Sequence, residues 1–196
     1  MSRTWLLLIP LLLAGCSILP EAEELQVFQL PSVAAPQPVA STSGEGEVLR
    51  ISRPRANPLL DSTRIIVMPR PDQLSAYQGV RWSDRAPVLL RDRLVERGRE
   101  RGRFRAVISD DLPAPAALEM TGELKAFQIE YRDGRPRAVI RLQATLLRGG
   151  SRELLASRTF VVEQDVAGRS VEEAVAALGQ ASDALAEELL LWLEGR

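Results

Sequence analysis

Six arginines, Arg93, Arg97, Arg99, Arg101, Arg103 and Arg105, fall within thirteen residues. Guanidinium groups at that density suit phosphate or lipid headgroups, which they bind through paired N–H donors. Glu96 and Glu100 are interleaved with them, however, and cations are favoured near a helix C-terminus. A solvated helix end therefore explains the cluster without a ligand, and the Arg-biased composition favours that reading. Acidic pairs stand at Asp110-Asp111, Glu172-Glu173 and Glu187-Glu188, and paired carboxylates are a minimum for acid–base work or metal binding. Adjacent residues point different ways from a strand or helix, so none of these pairs is a dyad by itself. Lys125 is the only lysine among 25 basic residues; Schiff-base or Ser-Lys chemistry would rest on it alone, and no partner serine accompanies it. Histidine is absent, which excludes a Ser-His-Asp triad, a Cys-His dyad, a His-bearing zinc site and an imidazole base. Gly149-Gly150 is followed by no GK[ST] and reads as a hairpin turn. Trp82, after Tyr77 and Arg81, is large enough to be a ligand platform, but it reads better as a plug between sheet and helix. No catalytic residue, metal site or cofactor site is expected.

The most specific chemistry lies at the N-terminus. Arg3 gives a positive start, and Trp5 to Leu13 form an apolar stretch of about nine residues, too short to span roughly 30 Å of hydrocarbon but right for a signal-peptide core. It runs into Leu13-Ala14-Gly15-Cys16, which matches the lipobox of bacterial lipoproteins. The small Ala14 and Gly15 admit a protease to the backbone, and the thiol of Cys16, the only cysteine, accepts acyl chains. Each buried methylene contributes about 0.8 kcal/mol, so several chains give stable membrane attachment. Ser17 rather than Asp follows Cys16; by the enteric sorting rule this favours the periplasmic face of the outer membrane over the inner membrane.

The elements that must carry these residues follow from pattern. The 196 residues, with 25 basic against 26 acidic side chains and 45% hydrophobic, make one domain plus an appendage. Near-zero net charge argues against a nucleic-acid partner. We expect a signal peptide at 1–15, a lipidated Cys16 and flexible tether at 16–47, and a domain at 48–196. Pro31, Pro36 and Pro38 with Ser41-Thr42-Ser43-Gly44 disfavour regular structure over Pro31 to Glu47; at about 3.1 Å per residue that segment would reach roughly 50 Å. Leu25 to Leu30 alternates and is a short edge-strand candidate. Strands are expected at Val48–Ile51, Arg64–Met68, Phe104–Ile108, Ala117–Tyr131, Arg137–Leu147 and Leu154–Glu163. Asp133-Gly134 is a hairpin signal, and a phase change near Ala126 calls for a bulge. Ser83-Asp84 with Pro87 begins a helix running to about Arg101. Ser170 with Glu173 is a capping box before a stripe of Val171, Ala174, Leu178, Ala181, Leu185, Leu189 and Trp192. The expected fold is α+β, a mostly antiparallel mixed sheet with helices packed on one face.

In that order and spacing, several segments resemble the ABC-type transport auxiliary lipoproteins, the PqiC/YmbA-type components of MCE lipid-transport systems. The resemblance rests on the lipobox, Val27-Phe28-Gln29-Leu30-Pro31, Leu49-Arg50-Ile51-Ser52-Arg53-Pro54, Pro58-Leu59-Leu60-Asp61-Ser62-Thr63-Arg64-Ile65, Leu74-Ser75-Ala76-Tyr77, Arg81-Trp82, Phe104-Arg105-Ala106-Val107, Leu124-Lys125-Ala126-Phe127 and the last helix with Trp192. Val67-Met68-Pro69-Arg70 departs from the pattern, where a more polar strand end is expected. The resemblance implies a non-enzymatic subunit without cofactors, attached to the membrane by its lipid, whose partners are an MCE-domain protein with an ABC permease and ATPase; it also allows a homo-oligomer. Two other classes stay open: an envelope enzyme working through carboxylates, and a regulatory or pilotin-type outer-membrane lipoprotein.

Overall fold

Three long strands dominate the chain because their side chains alternate. The computed structural model describes residues 25–32 and 46–195. In chain order the elements are β1 (Gln26–Phe28), β2 (Val48–Ile51), β3 (Arg55–Ala56), β4 (Ile66–Arg70), β5 (Gln73–Ala76), β6 (Val80–Trp82), α1 (Ala86–Arg101), β7 (Ala106–Ser109), β8 (Leu118–Arg132), β9 (Arg135–Arg148), β10 (Leu154–Asp165) and α2 (Val171–Glu194). β8 and β9 form an antiparallel hairpin from Arg132↔Arg135 to Leu118↔Arg148. Its turn residues Asp133 and Gly134 both have positive φ, 51° and 73°, the backbone that matches the twist of two joined strands. β10 adds antiparallel to β9.

The far edge of β8 is shared by three short parallel strands. β2 lies at Leu118 to Met120, β3 at Glu123 and Leu124, and β4 at Gln128 to Glu130. β7 extends the sheet beyond β2 in parallel, with α1 as the crossover, and β5 pairs antiparallel outside β4. The fold is α+β: the long ladders are antiparallel, and the short ones are parallel except β4–β5. The expected bulge is present, since Leu124 opposes Leu142 while Ala126 opposes Arg141, leaving Lys125 as the extra residue. It moves the apolar phase so that Leu124, Phe127 and Ile129 are all buried. β4 begins two residues later than expected, at Ile66, because its partners on β8 are Gln128 to Glu130.

On β9, Ala138, Ile140, Leu142, Ala144 and Leu146 have no exposed surface, and α2 packs on this face. The capping box forms as expected: the Glu173 N–H donates to Ser170 Oγ (3.2 Å) and the Ser170 N–H to Glu173 Oε2 (2.9 Å). Ala174, Leu178, Ala181, Leu185 and Leu189 are buried, and Trp192 meets Phe160 edge-on with ring centroids 5.7 Å apart. α1 starts at Ala86, with Arg85 rather than Ser83 or Asp84 in the capping position and Pro87 in its first turn. The Ser83 N–H is already used, donating to Phe28 O at 2.7 Å. Gly102, at φ 64°, ends the helix in the left-handed conformation.

One element changes the expected organisation. Residues 25–32, assigned from sequence to the tether, pack on the domain: β1 pairs in parallel with β6, and Leu30 is buried. Farther along, the Arg105 N–H donates to Glu47 O at 3.1 Å. The stretch from Pro31 to Glu47 thus begins and ends on the same body. Residues 25–32 therefore belong with the domain rather than with the tether expected at 16–47.

Candidate functional site

The arginine cluster divides: Arg99, Arg103 and Arg105 are exposed at the helix end, as expected, whereas Arg93, Arg97 and Arg101 stitch α1 to α2. Arg93 is 5% exposed and its Nη1 lies 2.6 Å from Asp183 Oδ1, with Nε 3.3 Å from Glu96. Arg97 donates to the same Asp183 oxygen (Nε 3.1 Å) and to Glu100 (2.9 Å). Arg101 reaches Glu194 at 2.7 Å and Glu187 at 2.6 Å, and Arg99 Nε donates to Val107 O at 2.8 Å. Arg103 lies 3.8 Å from Glu194, and Arg105 is exposed. The cause is spacing on the partner helix: Asp183, Glu187 and Glu194 recur along the side of α2 that faces α1, so Arg93, Arg97 and Arg101 each find a carboxylate there. Hydrogen bonds from Arg101 hold the Glu194 carboxyl below its usual range, and the same bonds, to Glu194 first and Glu187 second, raise the Arg101 guanidinium.

The acidic pairs are likewise occupied. Asp110 accepts from Arg91 Nη1 (2.8 Å) and from the Arg53 N–H (3.1 Å), and Asp111 lies 2.8 Å from Arg91. Burial opposes ionisation of Asp110, but the bonds from Arg91 and Arg53 outweigh it and lower its pKa. Glu173 belongs to the capping box, Glu172 sits in the first turn of α2, Glu187 pairs with Arg101 and Glu188 is exposed. Lys125, at the bulge, lies 2.6 Å from Glu123. Gly149-Gly150 forms the β9–β10 turn. Trp82 is 1% exposed and packs edge-on to Phe127 at 6.0 Å; it is core. Burial, with Tyr131 alongside, pushes the Tyr77 hydroxyl up to about 12. Among the described residues no group of three or more His, Cys, Asp or Glu is placed to hold a metal, and no helix is long and apolar enough to cross a membrane. The cleft between α1 and α2 is lined by the paired charges Arg97, Glu100, Arg101, Asp183 and Glu187. The lipobox Leu13-Ala14-Gly15-Cys16 lies outside the described residues.

What the structure brings together instead is a seat for the N-terminal strap. The Gln26 N–H donates to Gly79 O at 3.0 Å, and the Phe28 carbonyl accepts from Ser83. The chain then crosses the two helices. Arg93 Nη2 donates to Leu30 O at 2.9 Å, so one buried guanidinium grips both the strap and α2. Pro31 lies over Gly179, where a Cβ would stand 2.5 Å from Pro31 O and 2.8 Å from its Cγ. The edge-strand expectation for Leu25 to Leu30 holds at Gln26–Phe28, but its clamp went unread. Two signals pointed to it: a glycine inside an apolar helical stripe, which costs about 1 kcal/mol unless something approaches closely, and an arginine within a face otherwise apolar.

A family model described as the ABC-type transport auxiliary lipoprotein component matches residues 28–189. The chain belongs to this family. The match begins inside the strap, at Phe28, so the seated segment is part of the family domain. A crystal structure of a Xanthomonas campestris protein of the DUF330 family superposes with a TM-score of 0.75 at 26% identity, covering 87% of this chain and 96% of that one. A second crystal structure, of a protein described as uncharacterized, shares the fold at a TM-score of 0.66 and 16% identity, over 86% of this chain and 97% of its own. A PelC dodecamer from Paraburkholderia phytofirmans overlaps at a TM-score of 0.41 and 13% identity, over 81% and 92% of the two chains. No curated protein is similar enough to be a relative.

Proposed function

We propose that this protein is a non-catalytic subunit of an ABC transporter of the MCE type, held on the periplasmic face of the outer membrane by acyl chains on Cys16, and that the system moves lipids or other hydrophobic molecules across the envelope. The observation that carries the proposal is the family match over residues 28–189. The lipobox Leu13-Ala14-Gly15-Cys16 supports the anchor. The ion pairs Arg91–Asp110, Arg93–Asp183 and Arg101–Glu194 agree with a binding role, since they engage these charged groups in holding elements together.

The test has two arms. Palmitate incorporated by the wild-type chain and lost in Cys16→Ala supports the anchor, whereas label retained in Cys16→Ala overturns it. Co-purification of the full-length lipoprotein with an MCE-domain protein, its permease and its ATPase supports the transporter role. Capture of an unrelated envelope complex in their place overturns it in favour of a regulatory lipoprotein.

A further inference from the structure

We infer that the outward face of the β1–β6 pair, built on Leu25, Val27 and Arg81, is a membrane-contact surface that lies on the phospholipid interface beside the anchor; the inference rests on the Cys16 attachment proposed above. The face is defined by register. Val27 lies opposite Arg81 in the parallel ladder, and Phe28 opposite Trp82. Phe28 and Trp82 turn inward, Phe28 packing against the core and Trp82 belonging to it. Strand alternation then points Leu25, Val27 and Arg81 outward. Leu25 is 47% and Val27 51% exposed, and Arg81 is exposed beside them. Two large apolar side chains two residues apart, Val27 on β1 and Leu25 just before it, next to a long cationic one, have the composition of an interfacial contact: the apolar groups enter the headgroup boundary and the guanidinium reaches phosphate.

The occupant follows from chain length. Nine residue steps separate Cys16 from Leu25, and a fully extended chain rises at most about 3.3–3.6 Å per step, or about 30 Å in all. A domain of this size has a radius of gyration near 15 Å, equivalent to a sphere about 40 Å across, so the arm is shorter than the domain is wide. Because the strap is clamped through Leu30 and Pro31 rather than free, the domain cannot pay out residues 31–47 to move away. The β1 edge is therefore the part held nearest to the bilayer. Glu21, Glu23 and Glu24 occupy the connecting segment, so anionic lipid does not drive the approach. The acyl chains set proximity, and Leu25 and Val27 make the contact.

The test uses the full-length acylated lipoprotein in vesicles of phosphatidylethanolamine with and without phosphatidylglycerol. Cys16 is the only cysteine and its thiol carries the acyl group, so Val27→Cys gives one site for a nitroxide label, and Leu191→Cys, on α2 and 53% exposed, gives a reference. The expected result is that the label at position 27 is shielded several-fold from a water-soluble relaxation agent relative to position 191, with little change when phosphatidylglycerol is removed. Equal accessibility at the two positions, in protein that carries palmitate, overturns the contact surface and leaves the anchor standing. Absence of palmitate from the protein overturns both.

Discussion

Gly179→Ala gives the sharpest test of the strap, because two effects of opposite sign meet at one atom. In the interior of a helix, alanine is favoured over glycine by about 0.8–1.0 kcal/mol. Here the added methyl would lie 2.5 Å from the Pro31 carbonyl oxygen and 2.8 Å from its Cγ, so the strap must move. Lifting it exposes Leu30, now 9% exposed, whose burial is worth about 1.5–3 kcal/mol. It also breaks the bond from Arg93 to Leu30 O, and hydrogen bonds to a charged group contribute about 1.5–3 kcal/mol. Even partial displacement outweighs the helix gain, and a net loss of about 2 kcal/mol is expected. For a chain of this size that lowers Tm by about 4–8 °C. Chemical denaturation gives the stability, and hydrogen exchange at the Gln26 amide, bonded to Gly79 O, reports whether the strap has left. Stabilisation by about 1 kcal/mol with Gln26 as protected as before would refute the reasoning, since the propensity term alone would then be operating.

Two further outcomes follow from the core and the ion pairs. Trp82→Ala removes a fully buried ring and its edge-on contact with Phe127, and is expected to cost about 3–5 kcal/mol by urea denaturation; a loss under 1 kcal/mol would place Trp82 outside the core. Glu194 is held below its ordinary 4.5 by Arg101, and Asp110 below its ordinary 3.8. Both folded values are depressed, so their stabilisation is complete above pH about 4.5 and is lost as pH falls through the folded values. Urea midpoints measured from pH 6 to 3 should hold down to about pH 4.5 and decline below it, and Arg101→Gln should flatten the part of the decline due to Glu194; an unchanged slope would show that the pair contributes nothing.

The sequence alone determined whatever depends on local pattern. Alternation in Arg137 to Leu147 defined the buried face of β9, Asp133-Gly134 could form only a tight turn of positive φ, the phase change near Ala126 required a bulge, and Ser170 with Glu173 capped α2. These features are encoded within a few residues, so neighbours in the chain suffice to read them. The lipobox is legible for the same reason, as a contiguous string read by an enzyme. Three things were decided only in tertiary structure. The short strands β3, β5 and β6 carried little signal, because pairing of two to four residues depends on the strand they meet rather than on their own composition. The arginine cluster read as a helix end because its carboxylate partners, Asp183, Glu187 and Glu194, lie some ninety residues away on another helix. Residues 25–32, placed with the tether, became a strap because their seat lies on helices far along the chain. Leu30 in an apolar seat, its carbonyl on Arg93 and Pro31 against the bare backbone of Gly179 supply contacts from α1 and α2, and those long-range contacts overcome the entropy that composition alone would assign.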